Sequence, residues 1–557
     1  MYLRQVAANF VRRMRVSSQR TSYPPRAMNH NPLPNPLPSE VKWTHKYRLG
    51  CSSWFINHGN PHVWAIIAAQ VAIILGINEN LVSADATIEG ISSSENDSEE
   101  TSIAGLRKIE DGSVVSNIHT SKWRVFTDKA REFFLQGKLA EAEKLFFSAI
   151  QEAKEGFGER DPHVASACNN LAELYRVKKE LDKAEPLYLE AIDILEEAFG
   201  PEDVRVGAAL HNFGQFYLFQ RKLEDARKCY ERALKIKGRV LGYNNPDYAD
   251  TMYHLGTVLY LLGKEKDAEV LIWESIRILE ENGLEESVTS LRRLRYLAQI
   301  YLKSNNLAEA ENVQRKILHI MELSKGWNSL ETVIAAEGLA LTLLSIGNLK
   351  ESEELLERCL EARKTLLPED HIQITANMLE LARVAMLKSN RLQKMNIAAA
   401  IVELDKAKDL LHNSIRIAQK ILNKVRKQLG NKKKNGASSG TVKQGHTALI
   451  ILLQSLDVLG DMEMTKRKLN QSMGKHLLTE ETEKALFQCI STYKEFEDER
   501  SISDFPDVKS KYVSCLKHIL ALVSEKPTEE KVESLKVLND EIKRVEAEGA
   551  RRQRRKS

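Results

Sequence analysis

Apolar positions in this chain return every 42 residues. Leu171, Phe213, Leu255, Leu297, Leu339 and Leu381 form one column. Ala142, Ala184, Ala226, Ala268, Ala310 and Ser352 form a second, and Phe146, Tyr188, Tyr230, Ile272, Gln314 and Leu356 a third. Three columns in one register over six steps mark a repeat array rather than a single-centred globule. Within a unit, Leu171 and Tyr175 lie four apart on a first helix, and a turn is expected near Lys179. Ala184, Tyr188 and Ala191 then follow at steps of four and three, which is one face of a second helix. The small residue lets the paired helices approach, and the aromatic fills the space between units. Gly137, Gly263 and Gly347 fall at the equivalent turn, where a helix end needs a left-handed residue. The pattern predicts an all-α solenoid of helical hairpins over residues 122–390, beginning near Lys122.

Beyond Leu381 the register breaks. The small residue expected at position 394 reappears 13 residues late, as Ala407. Leu404 to Leu429 reads as a long helix, and 430–446 (GNKKKNGASSGTVKQGH begins here) as a mobile Gly-, Ser- and Lys-rich loop. Leu452, Leu456, Gly460 and Leu469 restore the spacing, so 391–475 is expected to hold degenerate units. Three polar-faced helices, Glu480–Arg500, Asp507–Glu525 and Thr528–Glu548, are expected to cap the array over 476–548. A basic tail, 549–557, closes the chain.

The N-terminal part has a different character. Residues 1–78 carry nine Lys or Arg against Glu40 alone, a net +8. Leu3, Val6, Phe10 and Met14 recur at helical steps beside arginines, so the acid-free leader within 1–60 resembles a mitochondrial transit peptide, with a plastid one as the alternative. Within the segment 61–78, Val63 to Ile77 is the most apolar run; as a helix it reaches about 22 Å, short of the roughly 30 Å hydrocarbon core. It is read as a tilted membrane anchor, a second sorting signal or a helix buried on another protein. Residues 79–121 hold nine acids against Arg107 and Lys108, a net −7, and read as a disordered linker.

The set Leu171-Ala172, Tyr175, Ala184, Tyr188 and Ala191 resembles the tetratricopeptide repeat, whose usual unit is 34 residues. Eight extra residues follow Ala191 in each unit. With Asn169-Asn170, the endings at Gly158, Gly200 and Gly242, and Pro162 and Pro246 behind them, the chain is similar to the kinesin-light-chain subclass and, given its leader, to a plant-type organellar member. The resemblance implies a right-handed solenoid whose first helices line a concave groove. Asn170, Asn212, His254 and Tyr296, each one residue before a column position, are expected to face it. In the resembling family, asparagines at these places hold the backbone of an extended peptide; His254 and Tyr296 depart from that pattern. Arg292, Arg293 and Arg295 are expected to attract an acidic partner.

Chemistry narrows the function further. There is no phosphate-binding glycine loop, HExxH, GxSxG or paired-carboxylate motif, so the expectation is a protein that is not an enzyme, with no cofactor, metal or small-molecule substrate. The six cysteines lie far apart without a CxxC pair. This points to a reducing compartment without disulfides, and to buried, inert thiols at Cys168, Cys229 and Cys359. Basic clusters at Lys424 to Lys443 and in the tail raise RNA binding as one reading. The rest of the chain, outside these clusters and the N-terminal blocks, is nevertheless net −9, which repels phosphate, so no nucleic acid is expected. A motor-cargo adaptor is a second reading; no heptad pattern precedes Lys122 to support it. The favoured expectation is a mitochondrial scaffold that binds a protein or peptide in the groove, with membrane association possible through 63–77.

Overall fold

The computed structural model describes residues 118–431, 439–474, 480–497, 499–524 and 536–548, and no strand occurs among them. Six helix pairs open the array: α1 (Ile118–Leu135) with α2 (Leu139–Phe157), α3 (Pro162–Lys178) with α4 (Leu181–Phe199), α5 (Val204–Phe219) with α6 (Leu223–Val240), α7 (Pro246–Leu261) with α8 (Glu265–Glu281), α9 (Val288–Lys303) with α10 (Leu307–Lys325), and α11 (Leu330–Ile346) with α12 (Leu349–Leu366). Each helix packs mainly on the one before and the one after it, so the all-α array is an α-solenoid. Within the described residues α1 is already present at Ile118, four residues before Lys122, and Thr120 and Trp123 bury one face of it. The transit-like leader, the apolar run 63–77, linker residues 79–117 and the basic tail lie outside the described residues. No described helix is long and apolar enough to cross a membrane.

All three columns are core. No residue in them is more than 6% exposed, including the polar Ser352 and Gln314. The alanine column lets the two helices of a hairpin close on each other, and the aromatic column plugs the seam to the next unit. Tyr175, Tyr217 and Tyr301 tie consecutive units together, each donating its hydroxyl to a glutamate 32 residues earlier: Glu143 (2.9 Å), Glu185 (3.1 Å) and Glu269 (2.8 Å). The turns between paired helices also repeat. Gly137, Lys179, Arg221, Gly263, Asn305 and Gly347 stand 42 apart and all have left-handed φ, from 58° to 94°. At each, the following amide donates back into the last helical turn, as from Glu180 N to Tyr175 O at 2.9 Å, which satisfies carbonyls a helix end leaves bare.

The C-terminal third is built differently. Helix α13 (Ile372–Leu392) runs through the place where a turn is due, burying Ser389 where the other units bend. It is followed by α14 (Ile397–Asn431), α15 (Ser439–Ser472), α16 (Glu480–Phe496), the single turn α17 (Arg500–Ser503), α18 (Pro506–Ser524) and a helical stretch over 536–548. One continuous core joins Leu379, Leu411, Leu449, Tyr493, Tyr512 and Val545, and α15 packs on α13, α14, α16 and α18. This is a helical bundle closing the solenoid.

Two sequence expectations are corrected here. The loop read over 430–446 is shorter, since 439–446 begin α15. Gly445, taken as a loop breaker, is a packing residue: a Cβ there would stand 2.7 Å from Ile502 and 2.9 Å from Val425. The expectation of no disulfide also fails. Cys489 on α16 and Cys515 on α18 are bonded, with Cα atoms 6.4 Å apart. They are 26 residues apart in sequence, and only the folding of α16 against α18 brings them together. Among the described residues, Cys168 and Cys359 are buried as read, while Cys229 is only half-buried; burial pushes Cys168 and Cys359 up to about 12 and Cys229 up to about 11, far from thiolate formation.

Candidate binding groove

First helices approach one another directly: α3 touches α5, and α5 touches α7. Side chains bridge these helices with an offset of one residue beyond the repeat. Asn212 Nδ2 donates to Asn169 Oδ1 at 3.1 Å, and Arg293 Nη2 donates to Asp250 Oδ1 at 3.1 Å, both across 43 residues. The rings of His211 and His254, again 43 apart, meet edge-on at 5.2 Å. An array whose inner helices crowd together curves toward them, so these contacts lie on the concave wall.

The wall is most polar between α5 and α7. Asp250 stands at its centre, half-buried, with Arg293 on one carboxylate oxygen and His211 Nε2 3.5 Å from the other. Burial works to raise the Asp250 carboxyl, but the positive field of His254, His211, Arg293 and Lys237 outweighs it and holds the group well below the usual carboxylate range. His211 Nδ1 meets Thr251 Oγ1 at 3.0 Å. Thr251 also accepts from Lys237 Nζ at 2.8 Å and donates to the Asp247 carbonyl at 3.2 Å. Gln215 Nε2 lies 3.1 Å from His211 Nε2 and 3.4 Å from His254 Nε2. Next along the wall comes an aromatic step, in which Tyr296 meets Tyr253 and Tyr260 edge-on at 5.9 and 6.1 Å.

The residues expected from the sequence take up different positions. His254 and Tyr296 are half-buried on this wall. Arg292 and Arg295 are exposed on α9. Asn170 and Asn212 are not open to solvent, being 1% and 3% exposed. Asn170 Nδ2 makes no hydrogen bond within the described residues, whereas Asn212 spends a donor on Asn169. Arg293 is withdrawn from any surface role: it is 1% exposed and clamped between the Ser275 carbonyl (3.0 Å) and Asp250. Sequence reasoning missed Gln215, Asp250 and Thr251, and it read His211 as a repeat-surface residue, whereas it is only 2% exposed. A signal for them exists, because His211 with Gln215 and Asp250 with His254 are i, i+4 pairs, and His211 stands 43 before His254. Among these side chains, the ligand atoms of His211, Asp250 and His254 lie within 4.8 Å of one another, as do those of His119, Glu152 and Glu155 at the start of the array.

The family profile described as tetratricopeptide repeat matches residues 129–197, 164–237, 205–281 and 290–365. None of the curated proteins matches the sequence. Among solved structures, nearly identical tetratricopeptide-like repeats of a putative kinesin light chain from Podosopora anserina are 18% identical, with 37% of this chain aligned to 98% of that one at a TM-score of 0.34. BtubC (BKLC) from P. vanneervenii is 16% identical, with 45% of this chain aligned to 93% of that one at a TM-score of 0.35. The apo form of RapI is 12% identical, with 72% of this chain aligned to 97% of that one at a TM-score of 0.39. Structural likeness at that level adds nothing to the repeat match, which agrees with the helix pairs turn by turn. The tetratricopeptide-repeat profile thus covers residues 129–281 and 290–365, the stretch occupied by the regular helix pairs.

Proposed function

We propose that the chain is a non-catalytic scaffold that holds a protein or peptide partner against the concave wall formed by α3, α5, α7 and α9, and that it works in mitochondria. The observation that carries the binding reading is the convergence of polar side chains from successive units on that wall. Asn169 and Asn212, Gln215 and His254, and Asp250 and Arg293 are each cross-linked between units, so their outer atoms are held in place before a ligand arrives. The exposed Arg292 and Arg295 beside them favour a partner with acidic side chains. The compartment rests on the arginine-rich, acid-free leader.

Two measurements test this reading. A fusion of residues 1–80 to a fluorescent reporter should enter mitochondria; a cytosolic signal contradicts the compartment. Partners co-purified with the tagged full chain should fall at least tenfold with Gln215→Ala plus Arg292→Glu, while Lys235→Glu on the outer helix α6 leaves them unchanged. Equal recovery from both variants contradicts the groove.

A further inference from the structure

We propose that His211, Asp250 and His254, with Gln215, form a binding site for a divalent transition-metal ion, of the zinc class, that bridges the units of α5 and α7. The site goes beyond partner binding and does not depend on it.

The hydrogen-bond network selects the ligating nitrogen of the inner histidine. The Thr251 hydroxyl has one proton, which goes to the Asp247 carbonyl at 3.2 Å. Toward Lys237 and His211 it can therefore only accept, so His211 Nδ1 carries a proton and Nε2 is the ring nitrogen left to bind an ion. His211 Nε2 stands in the groove wall 3.5 Å from the Asp250 carboxylate. The ligand atoms of His211, Asp250 and His254 lie within 4.8 Å of one another, in a wall where His211 is only 2% exposed. His254 brings its Nε2 to the same place from the next turn of α7.

The spacing suits a tetrahedral ion. Zinc binds nitrogen and oxygen ligands at about 2.0–2.1 Å, which sets neighbouring ligand atoms roughly 3.3–3.4 Å apart. The separations are 3.5 Å from His211 Nε2 to Asp250 Oδ2, 3.1 Å from His211 Nε2 to the Gln215 amide and 3.4 Å from His254 Nε2 to that amide. Half a turn about the last Gln215 torsion exchanges its NH2 for its carbonyl oxygen and completes a set of four donors. The outer shell is present as well: Thr251 orients His211, and Arg293 holds the second oxygen of Asp250. Two imidazoles with one carboxylate select zinc, nickel, cobalt or copper over magnesium and calcium, which prefer all-oxygen sites. Arg293 and Lys237 oppose a further positive charge and only one carboxylate offsets them. The affinity is therefore expected to be micromolar rather than nanomolar.

The test is calorimetric titration of the metal-stripped full chain with Zn2+, repeated with Co2+ while its visible absorption is recorded. The wild type should bind with a micromolar dissociation constant and give the intense Co2+ bands of four-coordination. His254→Gln and Gln215→Ala should each weaken this binding at least tenfold, with the helical circular dichroism unchanged. Millimolar Mg2+ should not compete. The proposal is overturned if neither ion binds at 100-fold excess over the chain, or if the folded variants bind both as the wild type does. That second result would assign the binding to other histidines, such as His119 beside Glu152 and Glu155.

Discussion

Arg363 and Glu337 form a doubly hydrogen-bonded pair between α12 and α11, at 2.6 and 2.5 Å, with both side chains no more than 1% exposed. Burial alone would lower the Arg363 pKa, yet the Glu337 carboxylate more than reverses that and keeps the guanidinium charged. Such a pair is worth little net, but removing one member strands the other charge in the core. Glu337→Leu or Arg363→Met alone should therefore cost about 3–5 kcal/mol, while the two together should cost far less. Chemical denaturation of the three variants checks this, and equal losses in singles and double would contradict it. A second residue-level device lies in the C-terminal bundle. His518 Nδ1 bonds Asp457 at 2.7 Å, and Ser514 donates to the other carboxylate oxygen at 2.8 Å. The bond to Asp457 raises the His518 pKa above 6.5, against the opposing effect of burial. The folded chain thus holds this proton more tightly than the unfolded one. The stabilisation is complete below pH 6.5 and is lost as pH rises through the raised value. Melting temperatures of the wild type should fall across that window, and His518→Gln should remove this component of the slope; an unchanged slope would contradict the assignment.

At the scale of the element, the 42-residue period recovered what depends on one hairpin alone. Leu171, Ala184 and Tyr188 are core because helix geometry and the alanine contact decide their burial within the pair. A further column was present but unread. The first helices are capped at Asp161, Asp203, Asn245, Ser287, Ser329 and His371, again 42 apart, each accepting from an amide two or three residues on. The turn column was legible at its glycines and near Lys179 but hidden at Arg221 and Asn305, which adopt the same left-handed φ. Asn170 shows where the period misleads. Next to Leu171 on a lone hairpin it would face solvent, but α5 of the following unit covers it. Side chains on the wall meet their neighbours 39, 40 or 43 residues away, not 42, because adjacent first helices are shifted and rotated. That offset is a property of stacking, and no single column carries it.

Over the described residues, the molecule is an array of stacked helix pairs closed at its C-terminal end by a bundle. The bundle was the part least legible in sequence. Its helices α14 and α15, of 35 and 34 residues, each replace a pair's worth of turns, so the apolar spacing survives while the fold changes. Gly445 fell in the expected loop and is a contact instead, and Gly460 is a contact as well: a Cβ at Gly460 would stand 2.6 Å from Leu486 of α16. Closing the array at α13 leaves the wall from α3 to α9 as the face on which a partner can lie along several units at once. The most direct test of that claim is site-specific photo-crosslinking in the full chain. A photoreactive residue is placed in turn at Gln215 and Arg292 on the inner wall, and at Lys228 and Lys235 on α6. The same partner adduct should form from both inner positions and from neither outer one. Adducts from Lys228 or Lys235 with none from Gln215 or Arg292 would place the partner on the convex face and contradict the account.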